Sequence, residues 1–452
     1  MCYGKGCDVS FDAVTFTDCT LVVAAGAHAT LHSCSLSPGS STPQAVALFA
    51  HGPGTGIRMH GGSITGCMHG VTVQEGAHCT VSSATITQCH VVGAEVKDHR
   101  SSLELSGCDL RQFPSSHAHD TVVRGVYAHS GGALQLQSTT VSSVQYGVVA
   151  RTGAQVTMDD STISNTCNTC ITFTGGAHGK VTSCNVLWSK TRHGVHVEGS
   201  GSSVEASKCK FVQHTDSGIF AQNNGNVTAH ACKTSGSQAA GYSAESGACM
   251  DLTECSSDSD FRGCAVSTGA TLRASHVVIS DSTEEGAAVR KGGVGSLDDC
   301  SIKRCGEQGV WATGSGSVLS MHACTVMDAQ LSCVALMHGA QGQLQGCTLQ
   351  GSATRSGVVA ENESTVLYLE GCALRDNAQC GVLATDQAAV MASGCECEGN
   401  SGSSGFSSQC RAKVTVRDSC MHEKCGVGVF DGGRLSAVNV TMDGSVRRSF
   451  TL

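Results

Sequence analysis

Apolar and polar side chains alternate along this chain in short bursts that recur at a nearly constant interval. In Gly309–Met327, GVWATGSGSVLSMHACTVM, Val310 and Ala312 alternate with Trp311 and Thr313. A small polar turn, Gly314–Ser317, follows, and Leu319 and Met321 then alternate in the same way. His322 and Ala323 interrupt the alternation, and Cys324 and Val326 complete the unit. A two-residue period predicts half-buried β-strands. Three short strands joined by tight corners predict one triangular coil, and the next copy, about 23 residues later, can stack on it.

The template apolar–x–apolar–x–x–small–x–apolar first fits at Val9, Phe11, Val14 and Phe16, and last at Leu435, Ala437, Val440 and Met442. Nineteen coils fit. The small position reads Val14, Cys34, Gly62, Ala84, Cys108, Thr139, Ser161, Cys184, Cys209, Cys232, Cys255, Val277, Cys300, Cys324, Cys347, Cys372, Cys395, Ser419 and Val440. Its mean step is about 23.7 residues, so at ~4.8 Å per strand the stack would be a rod on the order of 85–90 Å long. The expected fold is therefore all-β, a single-stranded parallel β-helix with three short strands per coil. Residues 1–8 form a lead-in, 9–445 the solenoid and 446–452 a tail.

Composition agrees with this reading. There are 56 Gly and only 4 Pro, with 4% aromatic and 14% charged residues. Glycine at this density disfavours helices, costing about 1 kcal/mol per interior position. Eleven of the 28 cysteines fall in the small column, where they read as an inward ladder of apolar-behaving thiols rather than a disulfide framework. Two steps are long. Pro38, Pro43 and Pro53 accompany the first, and the Phe113–Asp120 insertion, with Pro114, His117 and His119, makes the second. These corners decorate turns or shape a binding edge.

A formal net charge of −9 argues against a nucleic-acid backbone or an anionic membrane as partner. No apolar run approaches the roughly 20 residues of a membrane span. The first residues, MCYGKGCDVSF, lack the apolar core of a leader. The expectation is a cytoplasmic protein, cytoskeletal or ciliary in setting. The ends carry no capping helix, so they are expected to meet a partner, unless the chain is a segment of a longer product.

The repeats GVTVQEGAHCTVSSATITQC (70–89) and GVLATDQAAVMASGCECEGN (381–400) resemble the right-handed parallel β-helix of the pectate-lyase-like superfamily. The resemblance covers about residues 9–445. It implies fold far more specifically than chemistry. The superfamily holds lyases, hydrolases and epimerases of acidic polysaccharides. It also holds intracellular modules, among them those of an F-box ubiquitin-ligase subunit and of cytoskeletal and cytokinesis proteins. The chain is similar to these modules in its Cys- and Ser-rich coils.

The resemblance places any chemistry on the outer face of each coil's first strand. One outward row there reads Tyr127, Val149, Thr172, His196, Phe220, Ser243, Val266, Ala288, Trp311, Ala335, Val359 and Leu383. The next reads His129, Arg151, Thr174, Glu198, Gln222, Glu245, Thr268, Arg290, Thr313, Met337 and Glu361. The apolar members Tyr127, Phe220, Trp311 and Leu383 suggest a stripe for a protein partner, flanked by Arg151 and Arg290. The best catalytic set is Glu198, Glu245 and His196, with the two carboxylates two coils apart, roughly 9–10 Å by the sheet spacing.

Features of the polygalacturonase-like hydrolases are incomplete. Asp159-Asp160 and Asp298-Asp299 fall on corners, and His193-Gly194 is a fragment of a Gly-His-Gly step. Cys167–Cys170 and Cys420, His422 and Cys425 have ligand-like spacing, but a zinc site needs four converging ligands, so no metal and no cofactor is expected. Asn226, Asn362 and Asn439 head glycosylation sequons, expected to go unused without a secretory route. The leading expectation is a non-catalytic scaffold for a protein partner. The alternative is a carbohydrate-binding or carbohydrate-active protein using the first-strand face.

Overall fold

The computed structural model describes residues 1–38, 45–113, 122–402, 404–422 and 426–443. Most of the two long corners, Cys425 and the tail 446–452 lie outside them. Among the described residues, 57 strands fall into nineteen triplets, from Cys2–Tyr3, Asp8–Asp12 and Thr15–Thr17 to Gly426–Val429, Arg434–Val438 and Thr441–Asp443. The fold is an all-β parallel β-helix with three strands per coil. Its first strand, Cys2–Tyr3, lies within the stretch expected as lead-in.

Contacts divide the chain into two compact units, residues 1–228 and 229–452. Within the first unit, first strands pair in parallel from Leu21–Ala24 through Arg124–His129 to Ser217–Gln222. Within the second, they pair from Ala240–Ala244 through Val310–Thr313 to Gly426–Val429.

Alternation decides which side chains face inward. Val318–His322 buries Leu319 and Met321 and exposes its other three residues. Val310, Ala312 and Val326 complete the interior of that coil, all at 0% exposure. Like side chains stack on like from coil to coil, as in Val326 over Leu349 over Leu374. Each fully buried Val or Leu contributes about 1.5–3 kcal/mol, and the interior is largely apolar, interrupted in the second unit where Thr234 and Ser257 donate to the buried Asp260 carboxylate at 2.7 and 2.6 Å.

The small column is inward as expected. Cys34, Cys108, Cys184, Cys209, Cys232, Cys255, Cys300, Cys324, Cys347, Cys372 and Cys395 are all buried. The position asks for a compact donor. Cys324 Sγ donates to the carbonyls of His322 (3.3 Å) and Leu297 (3.4 Å). Thr139 Oγ1 makes the same two contacts, to Gln137 and Leu105 carbonyls, at 2.9 and 3.1 Å. Ser161 and Ser419 donate to the carbonyl two residues back at 2.9 and 2.7 Å.

A feature of the corner before this column was not legible in the sequence. The residue preceding the small position is left-handed in all nineteen coils, from Ala13 (φ 51°) through Ala323 (φ 51°) to Asn439 (φ 53°). Only five of these residues are glycine: Gly61, Gly107, Gly346, Gly371 and Gly394. An L-residue there costs roughly 1–2 kcal/mol. The cost is offset locally because the left-handed N–H joins the next coil, as Ala323 N–H does to the Gln345 carbonyl at 2.9 Å.

Candidate trough on the first-strand sheet

Each first strand presents three outward positions, and parallel register stacks them into three rows. In the first unit the near row includes His69, Arg124, Tyr146 and His193. The central row includes Phe49, Glu95, Tyr127, Val149, His196 and Phe220. The far row includes Lys97, His129, Arg151, Glu198 and Gln222. The central row points outward and is nonetheless largely sheltered: Thr72, Val149 and Thr172 are buried. Longer side chains in the flanking rows shield it, so the face is a trough.

The trough's first cluster centres on Glu95, whose side chain is 13% exposed. His69 Nδ1 lies 3.4 Å from Glu95 Oε2 and His129 Nε2 3.2 Å from Oε1. Burial alone would raise the Glu95 pKa, but the two imidazoles overcome it and hold the carboxyl down at about 2. Tyr127 stacks on His129 with centroids 4.4 Å apart, and the Arg124 guanidinium sits 4.6 Å from the Tyr127 centroid. Burial lowers the Arg124 pKa; the Tyr127 side chain opposes the fall, and the nearby Arg151 charge adds to it. Two guanidiniums therefore share this part of the trough with Lys97 on the adjoining rung of the far row.

The second cluster is aromatic. His193 stacks on Phe220 at 4.4 Å, and His196 lies 5.4 Å from His193 and 5.5 Å from Phe220. His196 Nε2 is 3.9 Å from Glu198 Oε2 and 3.1 Å from Gln222 Nε2. Asn223 donates to Glu198 at 3.0 Å. Burial drives the His193 pKa down to about 3 and lowers that of His196, so both imidazoles are neutral near pH 7.

In the second unit the central row reads Ser243, Ala265, Ala288, Trp311, Ala335, Val359, Leu383 and Ser407. Trp311 lies between two alanines, half-buried, and its Nε1 has no hydrogen-bond partner. Beside it runs a charged group. Arg262 bridges Glu284 and Glu285, the latter at 2.6 Å. Burial and the charge of Arg262 lower the Arg290 pKa, opposed by Glu285, Glu245 and Glu284. Burial, then Glu285 and Glu284, raises that of Glu307.

The expected site residues are thus partly regrouped. His196 and Glu198 come together. Glu198 belongs to the first unit and Glu245 to the second, where Glu245 faces Arg290, so each carboxylate answers to its own neighbours. Tyr127 and Arg151 join the Glu95 cluster, and Phe220 joins His193 and His196. Two expected row positions are corrected. Val266 and Thr268 are not in the outward rows; register puts Ala265 and Ser267 there, and Val266 is buried. Val149, Ala265, Ala288, Ala335 and Val359 of the central row are buried, whereas the expected stripe members Tyr127, Phe220, Trp311 and Leu383 are half-buried. His69, Glu95, Arg124 and His193 were missed. Carrying the central row back across the long corner at 113–121 would have found Glu95; Arg124 lies after that corner, and it, His69 and His193 belong to a third outward row.

Among the described residues, no group of three or more His, Cys, Asp or Glu is placed to hold a metal ion. Among them, no helix is long and apolar enough to cross a membrane.

The family profile described as "Right handed beta helix region" matches residues 146–273 and 217–367, together just under half of the chain. No curated protein matches the sequence. Among solved structures, a periplasmic alginate epimerase, AlgG, is similar at 10% identity over 80% of this chain and 77% of that one, with a TM-score of 0.32. The pre-mature gene product 12 of bacteriophage phi29 is similar at 9% identity over 94% and 69%, TM-score 0.38. The A-module of the Azotobacter vinelandii mannuronan C-5 epimerase AlgE6 is similar at 12% identity over 93% and 92%, TM-score 0.19.

These matches correct the expected location. The similar structures include a periplasmic enzyme and a phage protein, and none singles out a cytoplasmic, cytoskeletal or ciliary module. Nor do they identify a protein partner for the central row or for the ends. Fold, register and profile together make the chain a right-handed parallel β-helix that resembles the pectate-lyase-like and alginate-epimerase folds.

Proposed function

We propose that the first-strand trough of residues 46–222 binds an acidic polysaccharide laid along the stack. The observation that carries this reading is the placing of half-buried Arg124 and exposed Arg151 on adjoining coils of one face, where the charge of Arg151 is felt at Arg124, beside Glu95, a carboxylate already held by two histidines. Two cations that share one carboxylate, Glu95, itself occupied by two histidines, leave net positive charge that favours an anionic ligand. Tyr127, braced by His129 and Arg124, offers a ring for stacking. A linear chain would meet a new rung about every 4.8 Å.

The test is affinity electrophoresis or calorimetry with a polyuronide and a matched neutral glycan. Binding should favour the polyuronide, weaken as salt rises, and fall at least about tenfold in Arg124→Ala/Arg151→Ala, the equivalent of about 1.4 kcal/mol. Equal binding of the neutral glycan, or an unchanged double variant, would refute the proposal.

A second reading rests on the neutral His196 lying 3.9 Å from Glu198. A neutral imidazole beside a carboxylate can take a proton from a bound sugar. Turnover of a uronate polymer that is lost in both His196→Gln and Glu198→Gln would support it. Turnover that survives both changes would exclude this pair.

A further inference from the structure

We infer that Cys2 and Cys7 are a redox-sensitive modification site that closes to a disulfide on exposure to a small-molecule disulfide oxidant. The two sulfurs already touch, with Cys2 Sγ 3.4 Å from Cys7 Sγ. Bond formation needs an approach of about 1.4 Å to reach the usual ~2.05 Å, a side-chain adjustment rather than a backbone one.

Both residues are fixed by the coil. Cys2 pairs with Val23 on the neighbouring first strand. The Cys7 carbonyl accepts from His28 N–H at 2.9 Å, and Cys7 N–H donates to the Gly4 carbonyl at 3.1 Å. Gly4 (φ 102°) and Gly6 (φ 81°) supply the turn between them, at backbone angles that side chains other than glycine's resist.

Access separates this pair from the other neighbouring thiols. Cys2 is buried, but Cys7 is half-exposed. The inner column Cys300, Cys324, Cys347, Cys372 and Cys395 stacks its thiols on successive coils, and all five are sealed from solvent. Exchange needs a thiolate that an oxidant can reach. Cys7 is therefore the attacking group and Cys2 the resolving one.

With oxidised glutathione the step balances. The Cys7 thiolate attacks one sulfur of the oxidant and releases one glutathione thiolate. Cys2 gives its proton to water, attacks Cys7 Sγ and releases the second glutathione. Two protein thiols lose two electrons, and the oxidant's disulfide becomes two thiols.

The test treats the folded full chain with oxidised glutathione until exposed Cys19 carries the adduct, then quenches, digests and reads the peptides by mass. The expected result is a Cys2–Cys7 peptide lighter by two hydrogens, free of glutathione and restored by a dithiol reductant. In Cys2→Ser, Cys7 should instead retain a glutathione adduct. A lasting adduct on Cys7 of the unaltered chain, or both thiols still free when Cys19 is modified, would overturn the inference.

Discussion

Cys324 gives the sharpest stability test, because its surroundings set the size of each effect. The thiol is 1% exposed and donates to two carbonyls, His322 and Leu297. Cys324→Ser keeps a donor where Ser161 and Ser419 already serve, so its cost should stay below about 1 kcal/mol. Cys324→Ala removes the donor and leaves a small void, costing about 1–2 kcal/mol. Cys324→Asp places a carboxylate in a dry column with no cation, costing more than about 4 kcal/mol or opening the coil. Urea unfolding gives the order. Hydrogen exchange locates the damage, which should concentrate in coils 318–350 because each coil is stabilised mainly by its neighbours. An Asp variant as stable as the Ser variant would mean that the column is not interior, and the packing argument would fail.

Other outcomes follow from single contacts. Ala323 is left-handed, so Ala323→Gly should be tolerated, whereas Ala323→Val should cost about 1–2 kcal/mol in chemical denaturation. Arg262 holds Glu285, whose side chain is 4% exposed; Arg262→Ala should cost about 3–5 kcal/mol, and adding Glu285→Gln should recover much of it. Burial holds His193 near pKa 3 and His214 near 4, both below the unfolded value of about 6.5. Below pH 6.5 the unfolded chain binds the extra protons, so stability falls from there towards pH 3; His193→Gln should reduce that slope by up to about 1.4 kcal/mol per pH unit in acid titrations of unfolding. Glu95 runs between different limits: its depressed pKa stabilises fully above about pH 4.5 and is lost as pH falls through 2, so Glu95→Gln should flatten the steepest acid part of the curve.

The coil was legible because period and column reinforce each other. Leu319, Met321, Cys324 and Val326 each had to face inward for the pattern to close, and they do. Gly263-Cys264-Ala265-Val266 shows where the reading slips. Cys264 takes the inward place that valine holds in about half of the coils, and a one-residue shift turns every side chain to the other face. The corner conformation left no trace, because its left-handed residue is Ala, Ser or Asp in ten coils and Gly in only five. The trough was half legible. His196, Glu198, Tyr127 and Arg151 share rows that alternation predicts. Glu95 is separated from His129 by the inserted corner, which lengthens the step between them to 34 residues. Burial of the central row depends on the side chains of both flanking rows, which no single-strand pattern reports.

The most direct measurement is a crystal structure of the chain with a short oligouronide. The account predicts sugar density running along the first-strand trough, with a ring over Tyr127 and carboxylates reached by Arg124 and Arg151. Sugar bound on another face, or an empty trough at a ligand concentration that saturates binding in solution, would contradict it.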